Sequence, residues 1–254
     1  MSEAARRREA IALDVAEHGR VGVAELSEKL RVSGMTVRRD LEVLEERGFV
    51  RRVRGGAVVR TSNAYEPPYL RRSVQHPDAK QRIAEAALEL ILDGDTIILD
   101  TGTTALALAR ALRGRKVITV VTVALRVAME LANEHDIRVV VGGGFLRPGE
   151  LSLVGALAEN AFHEFNCDTA FFGVGGIHPV KGVTDFNPDD ARIKRLALAA
   201  ATRRVVLADA SKLGRVAFVS VAACEDIDVL VTDAPKEHPT VEALTDAGVS
   251  ITHV

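Results

Sequence analysis

Two cysteines in 254 residues, Cys167 and Cys224, stand far apart with no CxxC between them. Such scarcity excludes a disulfide scaffold and a zinc ribbon, and both thiols are expected to be small buried hydrophobes. His163 and Cys167 share an i, i+4 spacing, but two ligands without further partners do not make a metal centre, so no metal and no cofactor are expected. Long apolar runs are also missing. None approaches the roughly twenty residues that a membrane-spanning helix needs, and MSEAARRREA leads into an amphipathic pattern rather than a secretory leader. The expectation is a cytoplasmic protein with no membrane partner. Neither HExxH nor GxSxG occurs, which leaves zinc-protease and serine-hydrolase chemistry without residues to carry it.

What is present is apolar content of 47%, enough for a substantial core, in a length that suits one large or two modest domains. The charge distribution favours two. The formal net charge of −2 hides a split: residues 1–60 carry thirteen Lys and Arg against ten Asp and Glu, and the remainder twenty against twenty-five. A basic head is joined to a slightly acidic body.

Within the head, VSGMTVRRDLEVLEERGFVRRVRGG (residues 32–56) carries the most information. Ser33 suits a helix N-cap that accepts from the amide of Met35 or Thr36. Val37, Leu41 and Leu44 then recur on one apolar stripe. Thr36, Arg38 and Arg39 lie off that stripe near the helix start, where a helix in a major groove presents side chains to bases and flanking phosphates. Gly48 stops the helix, and the stretch 47–60 holds five arginines and no acidic residue. Upstream, residues 23–30 place Val23, Leu26 and Leu30 on one helical face, and residues 4–17 read as a further helix ending at His18-Gly19. Strand-like runs 49–53 and 57–59 flank a two-residue turn at Arg54-Gly55 or Gly55-Gly56. Three helices and a basic wing make a winged helix-turn-helix with double-stranded DNA as its partner. Its candidate DNA contacts are Ser33, Thr36, Arg38, Arg39, Arg51, Arg52 and Arg54. Asp40 reads as an ion-pair partner for an arginine.

These residues resemble a known family. Leu26 to Leu30, then VSGMTVRRDLEVLEERGF and RVRGGAV, are similar to the DeoR-type helix-turn-helix of bacterial sugar-metabolism repressors. Gly34 departs from the family pattern, and so does Val53-Arg54, where a histidine usually precedes the glycines.

Residues 61–78 contain Pro67, Pro68 and Pro77 with little apolar periodicity and read as a linker, in which Tyr65, Tyr69 and Leu70 are candidates to pin it down. From residue 79 helices and strands alternate: helix 79–92, strand 96–99, helix 103–112, strand 117–121, helix 125–134, strand 137–141, helix 154–165, strand 169–172, helix 189–202 and strand 205–207. Strands 229–231 and 249–252 flank a last short helix. Short apolar strands between helices imply a mainly parallel α/β sheet covered on both faces. The domain boundaries expected are 1–60 for the head, 61–78 for the linker and 79–254 for the sensing and oligomerisation domain.

Ligands of such sheets bind beyond the carboxyl ends of the strands. Four stretches stand there: Asp100-Thr101-Gly102-Thr103-Thr104, which opens a helix; Gly142-Gly143-Gly144; a long glycine-rich loop 173–187; and Asp209-Ala210-Ser211-Lys212-Leu213-Gly214. Free helix amides, hydroxyls, glycines and a lysine suit a small phosphorylated or acidic ligand.

This part also resembles the DeoR family. DTGTT, VVVGGGFLRPGELSLVG, CDTAFFGVGG, KGVTDFNPDDARIK and LADASKLG follow the order of its sensor domain, which is similar in fold to ribose-phosphate isomerase. The resemblance implies a sugar-phosphate effector, with Asp100, Gly102, Thr103 and Thr104 as the phosphate loop, Gly143 and Gly144 as a second wall, and Lys194 and Lys212 as cationic contacts. Where the family commonly has Thr-Asn-Ser, this chain has Thr122-Val123-Ala124, two polar side chains fewer.

The function expected is a DNA-binding regulator, a repressor of carbohydrate metabolism genes, controlled by a phosphorylated metabolite and assembled as a dimer or tetramer because one winged head reads only a short half-site. The competing reading is a sugar-phosphate isomerase with a DNA-binding head, for which Glu150, Asp168 or Asp185 would serve as base. No acid/base pair is fixed by spacing, so no catalytic residue is assigned.

Overall fold

In a computed structural model that describes residues 3–59 and 62–254, the chain divides into two compact units, Met1–Gln75 and His76–Val254. Arg60, the last arginine of the basic wing, and Thr61, expected to open the linker, lie outside the described residues.

The first unit runs α1 (Glu3–His18), β1 (Arg20–Gly22), α2 (Val23–Leu30), α3 (Gly34–Glu46), β2 (Val50–Val53), β3 (Gly56–Val59) and α4 (Tyr69–Val74). Its core is the set that the 3.6-residue periodicity selects, with Ile11 and Val15 from α1, Leu26 from α2, and Val37, Leu41 and Leu44 from α3, closed by Val21, Val50 and Ala57 of the strands. In the wing, β2 and β3 pair antiparallel with Val53 opposite Gly56, so Arg54-Gly55 is the turn and Gly55 takes the positive φ of 81° that the turn needs. The third strand, β1, was not foreseen. It pairs with β3 so closely that a Cβ on Gly56 would lie 1.9 Å from the Val21 carbonyl oxygen, which makes Gly56 obligatory. Three residues are too few to show a period of two. Residues 62–78, read as linker, contain the helix α4 and buried Tyr69, and Tyr65 Oη donates to the Phe49 carbonyl at 3.4 Å.

The second unit continues with α5 (Pro77–Leu88), β4 (Thr96–Leu99), α6 (Thr103–Leu112), β5 (Ile118–Thr122), α7 (Leu125–Leu131), β6 (Ile137–Val141), β7 (Phe145–Arg147), β8 (Ser152–Val154), α8 (Ala156–Glu164), β9 (Cys167–Gly173), β10 (Gly176–His178), β11 (Gly182–Asp185), α9 (Pro188–Ala199), β12 (Ala201–Leu207), β13 (Val219–Ala222), β14 (Val229–Thr232), α10 (Pro239–Asp246) and β15 (Ser250–His253). Seven strands form one sheet in the order β15-β14-β12-β9-β4-β5-β6, every neighbouring pair parallel. Central strands are buried on both faces, which is why β4 and β9 read as unbroken apolar runs, Ile97-Ile98-Leu99 and Ala170-Phe171-Phe172.

Two additions to the parallel sheet were not expected. β7 and β8 form a hairpin before α8, and β10, β11 and β13 form a separate antiparallel sheet. The stretch 173–187 is therefore not a loop. Its glycines serve close backbone packing: a Cβ on Gly176 would sit 2.4 Å from the Arg215 carbonyl oxygen and one on Gly182 2.1 Å from that of Ala222. These strands are three or four residues long and β11 finds its partner β13 more than thirty residues away, so no local pattern announces them.

Candidate nucleic-acid interface and ligand site

Arg31 adopts the left-handed conformation at the end of α2 (φ 53°), and Ser33 Oγ accepts from the Thr36 amide at 3.1 Å to start α3. The two helices are joined by this short capped turn. Arg38 and Arg39 are exposed and Thr36 half-buried on the side of α3 opposite Val37, Leu41 and Leu44. Asp40, in the same run, is buried and accepts from Arg7 Nε at 2.6 Å, with Arg8 Nε 3.5 Å away. It fastens α3 to α1, and the adjacent carboxylate raises the pKa of Arg7 through a hydrogen bond that outweighs burial. On the wing Arg51 and Arg54 are exposed. Arg52 faces the other way: its guanidinium pairs with Glu42 at 2.8 Å and its amide donates to Glu45 at 2.7 Å, so it ties β2 to α3.

In the second unit Asp100, Asp185 and Gly173, three of the positions singled out at the strand ends, come together around one lysine. Lys194, in the second turn of α9, is 2% exposed. Its Nζ lies 2.9 Å from Asp100 Oδ2, 2.7 Å from Asp185 Oδ2, and donates to the Gly173 carbonyl at 2.5 Å. Asp100 follows β4, Asp185 ends β11 and Gly173 ends β9, so three strand ends converge on it. Expected as a cationic contact for a ligand, Lys194 is committed to two carboxylates. Burial pushes its pKa down, but the attraction of Asp100 and Asp185 outweighs that and raises it. Burial likewise raises Asp100 against the pull of Lys194.

Next to Asp100, Gly102 (φ 105°) caps α6, leaving the first amides of that helix beside the half-buried Thr103 and buried Thr104. Gly144 (φ 124°) could not carry a side chain, because its Cβ would meet the Val154 carbonyl oxygen at 2.5 Å. Gly143 is exposed. Lys212 is half-buried in the 3-10 turn Ala210–Lys212, which Asp209 caps by accepting from the Ser211 amide at 3.0 Å. Thr122 is fully buried, donating to the Leu99 carbonyl at 2.7 Å, and Val123 and Ala124 pack into the core rather than leaving a polar gap.

A second buried cluster was missed in the sequence. Ser152 Oγ donates to Asp190 at 2.9 Å, and Arg147 donates to Ser152 at 3.2 Å and pairs with Asp190. Asn187 caps the helix carrying Asp190 by accepting from the amides of Asp189 and Asp190. Arg147 and Asp190 are 43 positions apart, a separation that no periodicity spans. Of the three proposed bases, Asp185 belongs to the lysine cluster and Glu150 is buried in the β7–β8 turn. Asp168 accepts from the Thr96 amide at the amino end of β4, the opposite edge of the sheet.

Both cysteines are buried, and burial raises their pKa values, that of Cys167 to about 11. Among the described residues no group of three or more His, Cys, Asp and Glu could hold a metal ion, and no helix is long and apolar enough to cross a membrane.

Residues 7–63 match the family described as DeoR-like helix-turn-helix domain, and residues 75–234 match DeoR C terminal sensor domain. The chain belongs to the DeoR family. Among curated DeoR-type relatives, the HTH-type transcriptional regulator GlpR of Haloferax volcanii is 39% identical over 99% of this chain and 98% of its own. The HTH-type transcriptional regulator GolR of Listeria innocua is 34% identical over 92% of each chain, and the glycerol-3-phosphate regulon repressor of Escherichia coli 33% identical over 91% and 92%. A ribose 5-phosphate isomerase from Methanocaldococcus jannaschii is a structural neighbour at 22% identity, 55% coverage of each chain and a TM-score of 0.42. Like its DeoR relatives, the protein is a DNA-binding transcriptional regulator and not an isomerase.

Proposed function

We propose that this protein is a repressor of carbohydrate or polyol-phosphate metabolism genes, acting in the cytoplasm as a homo-oligomer on a double-stranded operator and controlled by a phosphorylated small molecule bound in the second unit. What carries the reading is the joining, in one chain, of a helix-turn-helix with two free arginines on its outer face to a parallel sheet whose carboxyl edge gathers a helix N-terminus, a glycine wall and a paired carboxylate cluster.

In the head, Arg38 and Arg39 read base edges, Ser33 and Thr36 set the helix start against the backbone, and Arg51 and Arg54 contact phosphates. Arg52 holds the wing in register. In the second unit, the α6 amides with Gly102, Thr103 and Thr104 take the phosphate, Lys212 adds charge, and Gly143 and Gly144 let the ligand approach backbone. Asp100 and Asp185, held by Lys194, accept hydrogen bonds from hydroxyls. The domain division follows: a head of residues 1–60, a connecting stretch 61–78 and a sensing domain 79–254.

Effector control requires that the ligand favour one arrangement of the heads, since equal affinity for both shifts nothing. The names of the relatives direct the first test toward three-carbon and sugar phosphates. A thermal-shift panel of these compounds on the purified full chain, followed by operator binding with and without each hit, should give a stabilising ligand that weakens operator binding. Stabilisation by no phosphorylated compound, with operator binding intact, would remove the effector assignment.

A further inference from the structure

We propose that the head has a small-molecule site of its own, a pocket between α1, the end of α3 and α4 that takes an amphipathic monoanion, an apolar body bearing one carboxylate or sulfonate. The cavity has a volume of about 460 Å³, within the range of small-molecule sites, and its whole lining belongs to the first unit.

Its walls are apolar. Leu44, the last member of the α3 stripe, is buried, Leu13 of α1 and Phe49 are half-buried, and Leu70 of α4 is 57% exposed. The opening follows from how α4 is anchored. Tyr69 is buried, and Arg72 is spent on the structure: its Nε donates to the Pro67 carbonyl at 3.0 Å and its guanidinium lies over the Tyr69 ring at 5.8 Å. Leu70 and Arg71, between them, are left lining the cavity.

The charges select the occupant. Arg8, Arg47 and Arg71 line the cavity with one carboxylate, Glu9. Arg8 is already engaged, 3.5 Å from Asp40 and donating to the Ala4 carbonyl at 3.0 Å. The side chains of Arg47 and Arg71 have no partner among the described residues, and Arg71 Nε is a buried donor without an acceptor. Setting Arg8 against Asp40 and Glu9 against one of the other two leaves one positive charge unspent. A buried N–H without an acceptor is costly, and nothing holds this guanidinium where it is, so it can turn toward an oxygen placed in the cavity. A carboxylate supplies that oxygen and the opposite charge, and an apolar tail covers Leu13, Phe49 and Leu70.

The test is calorimetric titration of the full chain with octanoate and with octanamide, its uncharged counterpart. Octanoate is expected to bind at one site, more tightly than octanamide by about tenfold or more, the worth of one charge-assisted hydrogen bond. Arg71→Met should abolish that preference and leave the melting temperature of the unliganded chain unchanged or higher, because it removes a donor that has no acceptor; a residue that only supports the fold would lower it. Leu70→Glu changes an exposed position, puts a like charge beside the carboxylate, and should weaken octanoate more than octanamide; it decides the matter where Arg71→Met melts lower. No binding of octanoate, no preference for it over octanamide, or equal binding by wild type and both variants would overturn the site. So would a groove covered by a second copy, seen as failure of octanoate to bind together with a lower sedimenting mass in Leu70→Glu. None of these readouts uses DNA or a phosphorylated effector, so failure here leaves the regulator reading as it stands.

Discussion

The two units place charge in opposite ways. In the head, Arg38, Arg39, Arg51 and Arg54 stand exposed on a scaffold whose apolar residues come from short, periodic helices. In the second unit, Lys194, Asp100 and Asp190 are buried and Asp185 half-buried, all of them paired across strands and helices far apart in sequence. DNA is a polyanion met at the surface, where an arginine must be free to reach it. A small metabolite is held away from water, where a charge is stable only with its partners already in place. The comparison predicts that substitutions in the head change DNA binding with little effect on folding, and that substitution of Lys194 in the buried cluster acts first on folding.

The largest effect expected is that of Lys194→Met. It takes the ion-pair partner from buried Asp100 and removes a contact of half-buried Asp185, and breaking such a buried pair costs about 3–5 kcal/mol. Calorimetry of the full chain should show a large drop in the melting temperature of the second unit; an unchanged melt would mean that the lysine is dispensable to the fold. Its pH dependence has a definite sign. Because the folded pKa of Lys194 is raised above its ordinary 10.5, its stabilisation is complete below that pH and is lost as the pH rises through the higher folded value. Alkaline titration should therefore destabilise the wild-type protein more steeply than Lys194→Met.

Arg39→Ala is expected to cost about 1–3 kcal/mol at the operator and nothing measurable in stability, with random DNA much less affected. Arg54→Ala should weaken operator and random DNA alike and reduce the salt slope of binding by about one. Equal losses from both on both DNAs would dissolve the distinction between base-reading and phosphate-contacting arginines.

A smaller effect blurs the comparison from the other side. Ser33→Ala removes the cap of α3 and should destabilise the head by about 1 kcal/mol, and operator affinity falls with it because the same turn aims the reading helix. If the cap matters only to folding, affinity corrected for the folded fraction will be unchanged.

Much of the fold was legible. Helices α3 and α6 and strands β4 and β6 carry their signals locally: Ser33 at a cap, Val37, Leu41 and Leu44 at helical spacing, Ile97-Ile98-Leu99 as an apolar run between polar turns. The antiparallel additions were not legible. β10, β11 and β13 are held by pairings between distant short segments, and their glycines read equally well as a ligand loop. The same limit applied to the site. The sequence led to Asp100 and Lys194 as separate members of an anion site, and the ion pair between them came only with the structure, as did Asp185 as the other carboxylate on the same lysine.

By itself the sequence determined the two-part organisation, the helix-turn-helix and the parallel sheet, because caps, periodic apolar stripes and alternating strands act over a few residues and leave their pattern in the chain. Only the tertiary structure decided which charges are free and which are spent on each other. Arg52 and Arg54, two positions apart, are indistinguishable as text, yet one is bound to Glu42 and the other open to solvent. Ion pairs and strand pairings form between whichever groups the fold brings within a few ångströms, and that distance is set by packing across the whole unit.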